Sequence, residues 1–185
     1  MRVTTPAGKP DTDGSYRVDG LTERGCDWMV LWTKSRHEKA VVRHVEASGG
    51  SCYLPLVRRT TVTRGRKFVS RVPLVPGYVF LSGTKDHAYA AIETRRVCSV
   101  IEVADQPGFV RELEQIRRAL EASDSVEPYR FAVVGRRCRV RSGPFMGLEG
   151  VITDRLGAER LVLQLAILGQ GAALEIDIDQ VEPLD

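Results

Sequence analysis

The sequence predicts an α+β protein: a ferredoxin-like antiparallel sheet with helices, followed by a small β-barrel. Between residues 28 and 103, strand-like apolar runs and helical segments follow in the order strand, helix, strands, helix, strand. Beyond residue 130 the pattern changes to five short strand-like runs joined by glycine turns. We therefore expect domains at 26–122 and 131–185, joined by a linker at 123–130 and preceded by a disordered tail at 1–25.

The composition is that of a soluble protein whose charge is unevenly distributed. The 185 residues carry a net charge of +3, yet residues 151–185 hold seven acids against two arginines. No apolar run reaches the roughly 20 residues of a membrane span, and the first residues lack the apolar core of a signal peptide. The cysteines are far apart, with no Cys-x-x-Cys pair, so we expect reduced thiols in a cytosolic protein. They are Cys26, Cys52, Cys98 and Cys138.

The first strand-like run, 28–33, leads into a predicted helix. Ser35 and Glu38 have the spacing of a capping box, which predicts that the helix begins there. Gly49 and Gly50 would end it. Its buried face would consist of Val41, Val42 and Val45. Further strands are predicted at 52–57, 69–74, 78–81 and 97–103, and further helices at 88–94 and 109–120.

A proline-rich stretch at 73–81 reads Pro-Leu-Val-Pro-Gly-Tyr-Val-Phe-Leu. Pro76 restricts φ and Gly77 accepts a positive φ, so the pair predicts a tight turn. The residues after it are β-branched or aromatic, which predicts a strand at 78–81.

A basic hairpin is predicted just before this turn. Residues 60–68 are polar with Gly65 at the bend, and no acid occurs between Glu46 and Asp86. Arginines on an exposed turn are usually only solvated. Their accumulation without acids nevertheless favours contact with an anionic partner such as nucleic-acid phosphates. The residues concerned are Arg64, Arg66, Lys67 and Arg71.

The sequence offers no constellation typical of an enzyme or a metal site. His37, His44 and His87 lack the spacing of metal ligands, and no nucleophile–base pair is evident. We therefore expect no catalytic activity, no cofactor and no bound metal.

Two blocks of the chain resemble the NusG family of transcription elongation factors. The first, 28–81, has an aromatic first strand, Lys34 at its end and the proline-rich stretch, and looks like the NusG N-terminal domain. The second, 135–181, holds Gly-Pro-Phe-Met-Gly-Leu-Glu-Gly at 143–150 and looks like a KOW motif in an SH3-like barrel. The hairpin at 63–67 and the segment 167–177 are similar to the specialised members RfaH and the UpxY-type antiterminators.

The resemblance implies a binding site for RNA polymerase. In this family the N-terminal domain docks an apolar patch on the polymerase clamp helices and bridges the DNA channel, which disfavours pausing. Alternation along the first strand places both tryptophans on one face, so we expect them to share one environment. An alternative is that Trp28 and Phe80 belong to the core. The implied patch comprises Trp28, Trp32, Val75, Tyr78 and Phe80.

The resemblance also implies contacts outside this patch. Lys34 and His44 would approach the displaced non-template DNA strand, and the basic hairpin would contact nucleic acid or polymerase. Ile167 and Leu168 fall at the apolar pair through which the KOW domain of family members docks the termination factor Rho or a ribosomal protein. The alternative is that both belong to the barrel core.

The C-terminal domain is expected to rest as a β-barrel. In RfaH this domain can instead rest as a helical hairpin. Here Gly143, Gly147 and Gly150 stand at turn positions, and inside a helix they would together cost on the order of 2–3 kcal/mol relative to alanine.

Together these features imply a monomeric, cytoplasmic bacterial regulator that suppresses pausing or termination. It would promote processive transcription of long polysaccharide or other biosynthetic operons. One alternative is a housekeeping factor that couples polymerase to Rho or to the ribosome. Another is a ribosome-associated RNA-binding KOW protein, which would leave residues 1–125 without a role.

Overall fold

The computed structural model describes residues 26–129, 135–155 and 158–184. The chain divides into two compact units after Gln106. The predicted tail at 1–25 and the junction of the predicted linker and barrel at 130–134 lie outside the described residues.

The first unit contains a four-stranded antiparallel sheet with the strand order β2-β5-β1-β6. With its two helices, this is the ferredoxin-like arrangement that the sequence predicts. A separate two-stranded hairpin, β3–β4, is inserted between β2 and β5. The elements are β1 (Asp27–Thr33), α1 (Glu38–Ala47), β2 (Ser51–Tyr53), β3 (Leu56–Thr63), β4 (Arg66–Pro73), β5 (Tyr78–Gly83), α2 (Lys85–Glu93) and β6 (Val97–Glu102).

The main core of this unit lies between the sheet and the helices. Met29 and Leu31 alternate on β1 and point into it, opposite Leu81 and Val79 of β5. The predicted buried face of α1 is confirmed, because its three valines at positions 41, 42 and 45 have no exposed surface. The alternating apolar residues of β1 and β5 and the helically spaced valines of α1 thus pack together in one apolar layer.

The predicted start of α1 is wrong. The helix begins at Glu38 with His37 as its N-cap, and no capping box forms at Ser35. The physical reason is that Glu38 is buried and its Oε1 accepts the Gly77 N–H at 2.8 Å. The carboxylate therefore binds the backbone of the Pro76–Gly77 turn instead of capping its own helix. The predicted end is confirmed, since Gly49 follows the helix with φ of 89°.

The second unit contains a six-stranded antiparallel sheet in the order β12-β8-β9-β10-β11-β7. This agrees with a β-rich C-terminal domain, with one more strand than predicted because β7 forms inside the predicted linker. Short 3₁₀ turns occupy Ala166–Leu168 and Ile178–Gln180. The main elements are α3 (Gln106–Ala122), β7 (Glu127–Tyr129), β8 (Arg137–Val140), β9 (Glu149–Arg155), β10 (Ala158–Leu165), β11 (Gln170–Glu175) and β12 (Val181–Pro183).

Two glycines allow the strands of this sheet to approach closely. A Cβ at Gly171 would lie 2.0 Å from the Leu163 carbonyl oxygen, and one at Gly150 would lie 2.5 Å from that of Val162. Since real Cβ atoms do not come so near, only glycine fits at either position. Both sites lie beside β10, which is the centre of the sheet.

Helix α3 makes polar contacts with the barrel loops of this unit. Gln115 Oε1 accepts the Glu149 N–H at 2.5 Å, and Arg118 Nη2 donates to the Met146 carbonyl at 2.6 Å. Glu112 Oε2 accepts the Ala166 N–H at 3.2 Å. The sequence assigns α3 to the N-terminal domain, whereas these three hydrogen bonds join it to the C-terminal sheet. These contacts do not test the predicted domain boundaries at 122 and 131, which stay predictions.

Candidate functional site

The second face of the first sheet carries the predicted aromatic patch. Trp28 and Trp32 lie on this face of β1, opposite Ser82 and Tyr78 of β5. Between them Val30 is paired with Phe80, which also neighbours Tyr53 of β2 with ring centroids 6.3 Å apart. The register therefore brings five aromatic residues onto one face.

Burial divides this face into an interior part and an exposed end. Trp28 is only 3% exposed, and Val75 and Phe80 are also buried. Trp32 is 49% exposed and Tyr78 is half-buried. The expectation that the two tryptophans share one environment is wrong, because burial changes along the strand even where the facing direction does not. In this structure Trp28, Val75 and Phe80 are core residues, and their side chains are not available to a partner.

Backbone contacts hold the exposed pair at the Pro76–Gly77 turn. The Tyr78 N–H donates to the Val75 carbonyl at 3.3 Å and Gly77 has φ of 86°, which are features of a type II turn with proline and glycine at its centre. The Thr33 N–H donates to the Gly77 carbonyl at 2.7 Å. A Cβ at Gly77 would lie 3.9 Å from Trp32 Cδ1, so the indole lies beside this backbone.

The basic hairpin projects as two long strands with a two-residue tip. Thr63 pairs with Arg66, and Arg64 and Gly65 at the tip both have positive φ, as in a type I′ turn. The predicted bend at Gly65 is confirmed. The ladder reaches further than predicted, since residues 60–63 and 66–68 are strand rather than loop.

The hairpin has two exposed faces with different side chains. One face, through Thr63, Thr61 and Arg59, also carries Arg66, Phe68 and Ser70. The other carries Val62, Val69 and a directly opposed pair of arginines, Arg58 and Arg71. Like charges placed opposite each other destabilise a ladder. The predicted contact residues therefore lie on both faces, with Arg64 and Arg66 near the tip, Lys67 beside Val62, and Arg71 closer to the sheet.

Lys34 and His44 are both exposed but lie on different elements. Lys34 follows β1, and its backbone N–H donates to the Arg96 carbonyl at 2.8 Å. His44 lies in the last turn of α1. Their side chains are accessible to a partner, and a DNA contact by either stays a prediction.

The predicted partner site of the barrel lies at its surface. Ile167 is 36% exposed and Leu168 is half-buried, in the 3₁₀ turn after β10. The interior positions of β10 are instead Leu161, Val162, Leu163 and Leu165. The alternative that Ile167 and Leu168 form the barrel core is therefore wrong, whereas their binding role is untested.

Sequence reasoning missed the exposed apolar residues of the hairpin. Phe68 is 55% exposed and Val69 is 56% exposed. The sequence did contain a signal for this exposure. Residues 58–72 carry charged or polar groups at both odd and even positions, so neither face of the hairpin is uniformly apolar and neither is suited to pack on a core. Tyr89 and Ile92 of α2 are also exposed and were not anticipated.

The described residues contain no group of three or more His, Cys, Asp and Glu side chains that could hold a metal ion. The imidazole of His87 has a structural role, because its Nδ1 accepts the Thr84 N–H at 3.1 Å at the start of α2. In the same part of the chain, no helix has the length and apolarity needed to cross a membrane. All four cysteines lie in described segments and are free thiols.

The sequence matches a known protein family. The family model described as "Transcription termination factor nusG" matches residues 26–120. The chain is 27% identical over 172 residues to the transcription termination/antitermination protein NusG of Pseudomonas aeruginosa, covering 84% of this chain and 97% of that protein. It is also 27% identical to the same protein of Neisseria meningitidis, over 85% of this chain and 98% of that protein.

A solved structure of Thermotoga maritima NusG is similar at 22% identity and a TM-score of 0.45, covering 90% of this chain and all of that one. The family is one of transcription factors that act with RNA polymerase rather than of enzymes. From the match to more than half of its length, the chain belongs to the NusG family of transcription termination/antitermination factors.

Proposed function

We propose that this protein binds the clamp helices of RNA polymerase through Trp32 and Tyr78 and acts as an antipausing, antitermination factor. The observation that carries the proposal is an exposed Trp32 beside a half-buried Tyr78 at the end of an otherwise buried sheet face. Exposed aromatic side chains on a rigid support are typical of residues that dominate protein interfaces. The contact is smaller than the sequence implied, because three of the five proposed residues are interior.

The hairpin supports a second contact near the DNA channel. Residues 56–73 hold six arginines and lysines and no acid. A hairpin with this charge favours nucleic acid or an acidic polymerase surface. In this proposal Lys34 and His44 approach the non-template strand. The regulated genes would be long polysaccharide or other biosynthetic operons, with a housekeeping role as the alternative.

The barrel offers a separate partner site at Ile167 and Leu168. Ile167 is exposed, and Leu168 is partly accessible beside it. An exposed apolar pair on a β-rich domain supports docking of Rho or a ribosomal protein, as the family resemblance implies. This would couple the polymerase-bound factor to termination or translation.

Polymerase binding by exposed-pair variants tests the central proposal. The double variant Trp32→Ala, Tyr78→Ala should weaken binding by roughly 1–3 kcal/mol while the first unit stays folded. Tyr89→Ala is the matched control, because it removes an exposed aromatic ring from α2, outside the patch. Affinity would be measured with purified core polymerase and folding by circular dichroism. Wild-type affinity in the folded double variant would refute the proposal.

A further inference from the structure

We propose that the tip of the β3–β4 hairpin binds single-stranded nucleic acid. An unpaired base would stack on Phe68 while the guanidinium groups of Arg64 and Arg66 contact the backbone phosphates. The inference rests on the proposed function in that it specifies the partner of the basic hairpin. It adds an aromatic residue that charge considerations did not identify.

The first observation is the position of Phe68. Its side chain is 55% exposed on a hairpin that pairs only with itself among the described strands. The residue directly opposite on the same face is Thr61, whose short side chain leaves the ring accessible. Burying a phenylalanine side chain stabilises a folded protein, so an exposed Phe68 forgoes that stabilisation in the free protein.

The second observation is the chemistry around the ring. Thr63, Arg64, Arg66 and Phe68 line a concavity of about 560 Å³ at the hairpin tip. This volume lies within the range of roughly 300–1,000 Å³ found for small-ligand sites. An aromatic surface next to guanidinium groups and a hydroxyl matches a nucleotide, which presents a flat base beside an anionic phosphate.

The third observation is the backbone at Arg64. Its φ is 50°, a region that is unfavourable for a long side chain. The first central position of a type I′ turn prefers Asn, Asp or Gly. An arginine here places a guanidinium at the exposed tip of the hairpin against the conformational preference of the turn. Residues in such conformations cluster where they serve binding or catalysis.

Charge and shape together favour nucleic acid over an acidic protein segment. The hairpin has six basic residues and no acid, and Arg58 lies opposite Arg71 on its second face. An acidic peptide would satisfy the charges but has no planar group to cover the ring. A duplex would satisfy the charges but keeps its bases paired. Of these three partners, a single strand is the one that supplies a phosphate and an unpaired base at once.

Fluorescence anisotropy with the full-length protein tests the site. The probes are ~12-nucleotide oligothymidylate DNA, oligouridylate RNA of the same length and a DNA duplex, at about 50 mM salt. Phe68→Ala should weaken single-strand binding about 5- to 150-fold, as expected for one stacked base. Phe68→Trp should retain binding, because it keeps a stacking surface.

Two further variants separate stacking from charge. Val69→Ala is the matched control, since Val69 is equally exposed on the opposite face, and it should bind as wild type does. Arg66→Ala should weaken binding and reduce the slope of log affinity against log salt by about 0.7, the value for one phosphate contact on a single strand. The relative affinities for DNA and RNA identify the displaced DNA strand or the transcript as the source.

Three results would overturn the inference. They are absence of single-strand binding by the wild type, wild-type oligonucleotide affinity in Phe68→Ala, and an equal loss with the duplex. If Phe68→Ala keeps wild-type oligonucleotide affinity but loses polymerase binding, Phe68 is a protein contact instead. Phe68-dependent oligonucleotide binding by a protein that fails to bind polymerase would support this site and refute the proposed function, so the two fail separately.

Discussion

Glu38 connects the first helix to the turn that presents the exposed aromatic pair. It is a buried charged residue, and its carboxylate accepts the Gly77 N–H at 2.8 Å. Thr33 Oγ1 donates to the Gly77 carbonyl at 3.2 Å, so both polar groups of this glycine are bonded to neighbouring elements. Two side chains that are 39 and 44 residues away from Gly77 in the sequence thereby fix the turn from which Trp32 and Tyr78 emerge.

Replacing Glu38 should lower the free energy of unfolding, and the loss should be larger when the new side chain has no acceptor for the Gly77 N–H. Glu38→Ala removes the acceptor and should reduce the free energy of unfolding by about 1–3 kcal/mol. Glu38→Gln keeps a carbonyl acceptor and should lose less. Urea unfolding followed by tryptophan fluorescence measures both. Glu93→Ala, which removes an exposed acid from α2, serves as control, and equal stability of Glu38→Ala and wild type would contradict the prediction.

The cysteines should differ sharply in reactivity. Cys98 is exposed, whereas Cys52 is fully buried and its pKa is raised, mainly by burial and secondly by the negative charge of Glu46. The reactive species is the thiolate, so iodoacetamide at about pH 8 should modify Cys98 quickly and Cys52 only after unfolding. Peptide mass spectrometry locates the label. Rapid modification of Cys52 in the native protein would contradict this.

The same raised pKa has a consequence for stability at alkaline pH. Above the ordinary thiol pKa of about 8.5, the unfolded chain releases the Cys52 proton while the folded chain keeps it. The unfolded state then binds fewer protons, so stability falls as the pH rises through this region. Cys52→Ala should lessen that fall, which urea unfolding near pH 7 and above pH 9 would measure against wild type.

At the scale of elements, the hairpin differs from every other strand pair described in the first unit. Its two strands pair only with each other, and most of their side chains are exposed. A two-stranded ribbon with no apolar face on a core has little stability of its own. It is tied to the domain at its base, where Leu56 and Val57 are buried and Lys39 Nζ donates to the Arg71 carbonyl at 3.0 Å. The tip is therefore free to be specialised for a partner.

Charge reversal at the tip should impair function without unfolding the domain. The double variant Arg64→Glu, Arg66→Glu should weaken the antipausing effect, so that pauses last longer. Pause lifetime on a defined template measures this. Because exposed charges are screened by salt, raising ionic strength should erode the wild-type effect as well. Arg95→Glu with Arg111→Glu, exposed arginines outside the hairpin, is the matched control. Unchanged pause lifetime at low salt would count against an electrostatic role.

At the scale of the whole molecule, the four-stranded and the six-stranded sheets are stabilised in different ways. The first has helices packed on one face, and mainly valine and leucine side chains fill the layer between them. The second depends on close backbone approach at Gly150 and Gly171. Neither glycine would be needed if residues 143–175 were helical, where each would instead cost up to about 1 kcal/mol relative to alanine.

The free full-length protein should therefore show β-type carbon chemical shifts in its C-terminal region. We expect them across Leu161–Leu165 and across Gln170–Glu175, the strands β10 and β11. Triple-resonance spectra of the protein without partners would measure them. Helical shifts over Leu161–Leu165 would show that a different fold of this domain is stable at rest.

Local patterns determined much of the fold. Valine spacing specified the buried face of α1, Pro76–Gly77 specified its turn, and Gly65 specified the hairpin bend, because each depends on periodicity or on the φ range of one or two residues. The polymerase-binding and barrel-partner residues came from family resemblance. Of these, Trp32 and Ile167 are exposed and Tyr78 is half-buried beside Trp32.

Tertiary structure alone decided which end of the aromatic face was accessible. Trp28 and Trp32 occupy equivalent positions on β1 but differ in exposure, because burial depends on what covers each end of a sheet and not on the facing direction. The same reason explains Glu38, which looked like a capping residue until the Gly77 N–H was brought within 2.8 Å by chain folding. Phe68 became conspicuous only when the hairpin was seen to leave the core, since a phenylalanine in a strand is ordinarily interior.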